Sequence, residues 1–274
     1  MANIQTLDPS ASPLDYFGSE LRRVREAHGL KQAQLGAMLY CSGSLIGQIE
    51  TTKKVPTREF AEALDRALDT DGLFSRLVVL VLRSQLPSWF RPYADMEAKA
   101  AYISTYQSQV VYGLLQTEGY ARALLSVEHP HNVDEMVAAR LERQRVLKRE
   151  DPPVLWVVLS EAVLLQEVGG REVMREQLAR LLEFRDDPWV NLQVLPFAVG
   201  QHTAMMGSFN LLRFDHDPDL FYADGYAQGH MTANPSVIKE RSVGYARLQA
   251  TALSPEDSAT VITRVMEERY GNQS

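Results

Sequence analysis

Leu30-Lys-Gln-Ala-Gln-Leu35, then Ser42-Gly-Ser-Leu-Ile-Gly-Gln-Ile-Glu50, then Pro56 is the stretch whose reading decides the fold of the first part of the chain. Leu35, Met38 and Leu39 share one face at helical spacing, and Leu45, Ile46 and Ile49 do the same one turn further on. Between them Ser42 offers a short hydroxyl side chain of the kind that accepts from the free amides of a helix start. The pattern is therefore helix, tight turn, helix. Upstream, Leu21, Val24, Arg25 and His28 recur at helical spacing and Gly29 stands where a helix ends, predicting a helix over about 18–28. Downstream, Val55-Pro56-Thr57 breaks the chain and Thr57 caps a helix over 58–68, with Glu59 near its positive end. Asp71 is placed to cap a fifth helix running to about Ser84, with Leu73, Leu77, Leu80 and Val81 as its buried stripe. Residues 14–84 thus read as an all-α domain of five helices, preceded over 1–13 by a flexible arm holding Pro9, Ser10, Ser12 and Pro13.

Beyond this bundle the pattern changes. Gln85-Leu-Pro-Ser-Trp-Phe-Arg-Pro-Tyr93 sets two prolines among aromatics, a packed connector over 85–94. Asp95 to Tyr106, Thr117 to Ser126 and Val133 to Lys148 read as helices, the last with Arg140, Arg143, Arg145 and Lys148 toward water. Val154-Leu-Trp-Val-Val-Leu159 is uniformly apolar, as in a strand covered on both faces, and Val190 to Leu195, Ser208 to Phe214 and Leu220 to Tyr222 are similar. With helices near 171–185, 236–252 and 255–270, residues 95–270 make a larger α+β domain whose sheet has about four strands.

Composition narrows the function. With 274 residues and 45% hydrophobic side chains there is material for two real cores. The apolar run Leu77 to Leu82 falls far short of the ~18 residues a membrane span needs, so a cytoplasmic protein with no membrane partner is expected. A single cysteine, Cys41, excludes an internal disulfide framework. The net charge is −7, yet residues 31–58 hold Lys31, Lys53, Lys54 and Arg58 against Glu50 alone. Because phosphate neutralisation supplies most non-specific affinity for nucleic acid, that modest excess predicts weak binding by one copy and useful binding by two.

The quoted segment resembles the Xre family, the helix-turn-helix proteins of Cro and lambda-repressor kind. The rest resembles the uncharacterised C-terminal domain joined to it in actinomycete regulators of WhiJ-like type. That second resemblance rests on Tyr112-Gly-Leu-Leu-Gln-Thr117, Tyr120-Ala-Arg-Ala123, Arg140 to Leu147, Glu161-Ala-Val-Leu164, Val168-Gly-Gly170, Met174 to Leu178, Val194-Leu-Pro-Phe197 and Ala252-Leu-Ser-Pro-Glu256. The resemblance implies a transcriptional regulator of double-stranded DNA, acting as a homodimer, and a small BldB-like partner protein. It implies that Gln32 and Ser42 contact phosphate, which suits two residues at helix starts. Base reading then falls to Gly43, Ser44, Gly47 and Gln48 on the recognition helix. The Gln48 amide can pair with adenine for roughly 1–3 kcal/mol of discrimination. Lys53 and Lys54 are either phosphate contacts or an exposed solubilising pair. Arg25 is implied to pair with Glu50 as a structural ion pair. Tyr40 and Thr52 stand where the family has glycine, and Gly36 where it has alanine; side chains at a left-handed position would be strained, so altered turns are expected.

No catalytic motif stands out. There is no Gly-x-Ser-x-Gly elbow, no phosphate loop and no paired cysteines. His129, His131 and Asp215-His-Asp217 read as solvated loops rather than metal ligands, and Gly169-Gly170 as a turn. Trp89, Phe90, Tyr93, Tyr102 and Tyr106 read as core packing rather than a ligand pocket. No enzyme activity, metal or cofactor is expected. Two classes stay open: a regulator whose second domain senses a partner protein or small ligand and dimerises, or an enzyme or ligand-scavenging module that uses DNA binding only to control its own gene.

Overall fold

A computed structural model describes residues 8–128, 130–225 and 228–271. They divide into two compact units: one holds the chain up to Pro87 together with Asp134–Glu142, the other Ser88–Val133 and Arg143 onward. The sequence-predicted arm over 1–13 lies partly outside the described residues, and its last residues start a helix. Ser12 accepts from the Asp15 amide at 3.1 Å, and Pro13 opens the helix.

In the first unit α1 is Pro13–Ala27, α2 Gln32–Met38, α3 Gly43–Glu50, α4 Arg58–Leu68 and α5 Leu73–Gln85. Phe17, Leu21, Val24, Leu35, Ile46, Ile49, Leu64, Phe74 and Val78 make one core. Burying such side chains contributes about 1.5–3 kcal/mol each. Ser42 and Thr57 cap α3 and α4 as the sequence suggests. The cap of α5 does not come from Asp71, which sits at φ +48° and offers its carbonyl to Arg76. It comes from Asp65 on α4, whose carboxylate accepts from the Phe74 and Ser75 amides at 2.9 and 2.8 Å and from the Thr70 and Ser75 hydroxyls. Burial pushes the Asp65 pKa up, but those hydrogen bonds to its ionised form outweigh burial and hold it below the ordinary value.

The second unit opens with α6, Arg91–Glu97, and then β1, Tyr102–Gln107. A helix over 95–106 is thus corrected. Ala98 to Ala101 continues a helical composition, but Tyr-Ile-Ser-Thr-Tyr is aromatic and β-branched and fits a pleated, covered strand. Helix α7 follows at Glu118–Glu128, and then α8 at Val133–Arg143, of which Asp134–Glu142 belongs to the first unit. Next come β2 at Val154–Ser160, α9 at Glu161–Leu165, α10 at Arg171–Glu183 and β3 at Val190–Leu195. The chain then forms β4 at Phe209–Arg213, β5 at Leu220–Asp224, β6 at Gly229–Thr232, α11 at Pro235–Thr251 and α12 at Pro255–Tyr270. The sheet has six strands in the order β3-β2-β1-β4-β5-β6, two more than the sequence suggests. Both missed strands lack a clean signal: β1 hides behind an alanine-rich helix end, and β6 is a four-residue edge strand.

In this sheet β1 is the seam. It pairs in parallel with β2, Thr105 opposite Val157, and antiparallel with β4, Thr105 opposite Asn210. Alternate side chains feed two cores. One gathers Ile103, Leu155, Val157, Val194 and Tyr222 with α10 and α12; the other gathers Tyr106, Val158, Phe209, Leu211 and Phe221 with Tyr245 and Leu248 of α11. Arg143, expected to face water, is largely buried and hydrogen-bonded through Nε and Nη2 to Glu97 at 2.8 and 3.1 Å. Among the described residues no helix is long and apolar enough to cross a membrane.

Candidate nucleic-acid interface

The two helices that frame the candidate interface touch through their backbones. A Cβ on Gly43 would lie 2.8 Å from the Ala33 Cα, and one on Gly36 would lie 2.8 Å from the Cys41 carbonyl oxygen. Such approaches exclude a side chain. Gly36 is therefore demanded by the turn that follows it. Gly47 faces the same way, its missing Cβ 3.0 Å from the Gln32 Oε1. Of the four positions assigned to base reading, Gly43 and Gly47 thus let α3 lie close to α2, whereas Ser44 and Gln48 are exposed.

Behind α3 lies a knot of buried charge. Glu50 is fully buried at the end of the helix. Its Oε1 accepts from Arg25 Nε at 2.5 Å, and its Oε2 from Arg25 Nη2 at 3.1 Å and Gln32 Nε2 at 2.8 Å. Arg22 adds a longer contact at 3.8 Å. Arg25 also donates to the Leu30 carbonyl at 2.7 Å, tying the α1–α2 turn to the knot. The bond with Glu50 outweighs burial and raises the Arg25 pKa further. A buried fork of this kind fixes orientation more surely than it adds stability, because desolvation offsets much of the attraction. Gln32 is thus half-buried, with its amide engaged by Glu50.

The turns on either side of α3 keep left-handed residues. Tyr40 has φ +55° and Thr52 φ +58°, both without being glycine. Each turn is closed by backbone bonds, Cys41 N to Gly36 O at 2.9 Å and Lys53 N to Gln48 O at 2.8 Å. Tyr40 and Thr52 thus hold the left-handed backbone that favours glycine. Tyr40 stands almost fully in solvent at 99% exposure, so its ring meets no neighbour that the left-handed backbone would drive it into. Ser42 is exposed too, its hydroxyl accepting from the Leu45 amide at 3.2 Å.

Sequence reasoning missed the acidic side chains that α8 brings to this unit. Asp134 lies 3.5 Å from the exposed Lys54 ammonium, and Glu142 grips Arg58 through Nε at 2.8 and 3.0 Å and through Nη2. The separations in sequence are 80 and 84 residues, so no local pattern announces them. Two of the four cations counted in the basic stretch are therefore offset locally. Lys53 is exposed at the end of the motif.

The remaining sequence candidates do not assemble into a site. Phe90, Tyr93 and Tyr222 pack together, with the Tyr93 and Tyr222 rings stacked at 4.0 Å, while Tyr106 joins the other core and Tyr102 is half-exposed. Asp215, His216 and Asp217 lie in a loop, and His129 falls outside the described residues. Among the described residues no three His, Cys, Asp or Glu side chains are grouped to hold a metal ion. Gly169 and Gly170, at φ +71° and +91°, form the turn that starts α10. Cys41 is half-buried, which pushes its thiol pKa up and away from reactivity.

With this geometry in place, two matches to known families carry weight. Residues 17–76 match a helix-turn-helix domain, and residues 90–264 match a domain of unknown function, DUF5753. No curated protein and no solved structure matches the chain.

Proposed function

We propose that this chain, which belongs to the DUF5753 family and carries a helix-turn-helix domain ahead of it, is a sequence-specific transcriptional regulator that binds its operator as a homodimer in the cytoplasm. The observation that carries the reading is the short α3, held from behind by Arg25, Gln32 and Glu50, with exposed Ser44 and Gln48 on it. Gln48 reads a base edge, Ser42 and Lys53 meet phosphate, and Lys54 reaches phosphate in exchange for Asp134. Gln32 acts through Glu50 as a positioning residue. Dimerisation follows from the small supply of reading side chains and cations in one copy, which leaves specificity to spacing and DNA shape. The finer kinship is of Xre and WhiJ-like type. The second unit is the effector part, sensing a small ligand or a small BldB-like partner protein rather than catalysing a reaction.

Footprinting of the full chain on the DNA upstream of its own coding sequence tests this. Two protected half-sites about one helical turn apart are expected, near 10 base pairs centre to centre. No protection at low salt would overturn the regulator reading.

A further inference from the structure

A cavity of about 810 Å³ opens in the second unit between α11, the β4–β5 part of the sheet and the loop ahead of β4. Its volume falls within the range of small-molecule sites. Its lining includes the aromatic rings of Phe209 and Phe221 on the sheet and Val243 on α11. The loop is pinned to the helix by Thr203, whose hydroxyl donates to the Gly244 carbonyl at 2.7 Å. Along the helix, Lys239, Arg241 and Arg247 line the cavity against Glu240 alone, a cationic wall in a chain whose net charge is −7. Arg241 is set for recognition: its guanidinium lies over the Phe221 ring at 5.7 Å, and its Nε is buried without a hydrogen-bond partner. The Glu240 carboxylate is 3.6 Å from Nη2. The Arg241 side chain is 42% exposed, so the guanidinium is open to solvent although Nε itself is covered.

We propose that this cavity binds a small amphipathic organic anion, whose carboxylate or phosphate meets the exposed part of the Arg241 guanidinium on the cationic wall while its apolar body covers Phe221 and Val243. The inference rests on reading the second unit as the effector part, but its test involves no DNA, so its failure and that of the regulator reading are told apart.

The probe is 1-anilinonaphthalene-8-sulfonate, titrated by fluorescence into the full chain, with its uncharged analogue N-phenyl-1-naphthylamine in parallel. One saturable site is expected, at least tenfold weaker for the uncharged analogue. Arg241→Met and Val243→Asp should each weaken the dye at least tenfold while melting like the wild type, and Arg264→Met, on α12 away from the cavity, should leave it unchanged. Decanoate and decyl phosphate as competitors distinguish the head group. Equal binding of both dyes, equal losses in Arg264→Met, binding that survives both cavity variants, or indifference to both competitors would overturn the proposal.

Discussion

Glu50 and Glu97 are both buried carboxylates clasped by an arginine, one in each unit, and they are built in opposite ways. Glu50 draws Arg25 and Gln32 from 25 and 18 residues away, so the first unit closes its knot from neighbouring helices. Glu97 draws Arg143 from 46 residues away and adds Tyr112, whose hydroxyl donates at 2.6 Å. Tyr112 in turn lies 3.1 Å from the Tyr93 hydroxyl, and burial pushes both phenol pKa values well up. The first knot is fixed behind an exposed helix and sets where its surface points. The second sits among aromatic rings, with Arg143 over Phe90 at 4.7 Å, and holds α6 and the end of α8 to the same core. Similar chemistry thus positions a surface in one unit and a core in the other.

The largest expected effect comes from removing either carboxylate, because each leaves a largely buried arginine without its main partner, Arg25 keeping only Glu26 at 3.2 Å and the Leu30 carbonyl. Glu50→Ala and Glu97→Ala should each cost about 3–5 kcal/mol in their own unit. All three tryptophans, Trp89, Trp156 and Trp189, lie in the second unit. In urea titrations Glu97→Ala should therefore move the tryptophan fluorescence transition, and Glu50→Ala only the part of the far-ultraviolet circular dichroism that fluorescence does not follow. Equal movement of the fluorescence transition by both variants would break the comparison.

Next in size is the backbone contact that lets the first knot work. Gly43→Ala puts a methyl group against the Ala33 backbone and should cost about 1–3 kcal/mol, whereas exposed Ser44→Ala should stay within about 0.5 kcal/mol. Equal losses at the two positions, read by chemical denaturation, would show that α3 has room to move away from α2.

A third, smaller effect separates the units by pH. The Asp65 carboxyl is depressed below its ordinary value of 3.8, so its contribution is fully present above that value and is lost as pH falls through the lower, folded-state value. Asp65→Asn should lower the stability of the first unit by about 1–2 kcal/mol near neutral pH, the usual size of a lost helix cap, and flatten its acid dependence. Thermal melts by circular dichroism from about pH 5 to about pH 2 check it; wild-type and variant curves that stay parallel would contradict the cap.

Asp134→Asn should change least in stability, since exposed pairs contribute about 0–1 kcal/mol. Its signature is tighter DNA binding at low salt, as Lys54 loses its competitor. Unchanged affinity would mean that Lys54 is a solubilising residue.

The same contrast explains what could be read in the sequence. Helices α1 to α4 and the Ser42 and Thr57 caps were legible because their partners lie within one or two turns, whereas the Arg25–Glu50 pair, 25 residues apart, was implied by the family resemblance. Arg143 was misjudged because its burial is decided by Glu97, and no spacing rule links position 97 to position 143. Strand β1 was lost to the alanine-rich stretch before it, and Asp134 and Glu142 reach the first unit across 80 or more residues. That Gly43 and Gly47 bring no side chains to α3 is plain from the sequence, whereas their close approach to Ala33 and Gln32 on α2 emerges only from the coordinates.

The central claim is that α3 presents Gln48 to bases while Lys53 meets only phosphate, and the most direct measurement is operator affinity of Gln48→Ala and Lys53→Ala across a salt series, on the footprinted site and on single-base variants of it. The account predicts that Gln48→Ala relaxes preference at one base position by roughly 1–3 kcal/mol with an unchanged salt slope, and that Lys53→Ala weakens all sites alike and lowers the slope by about one. Undiminished base preference in Gln48→Ala would contradict it.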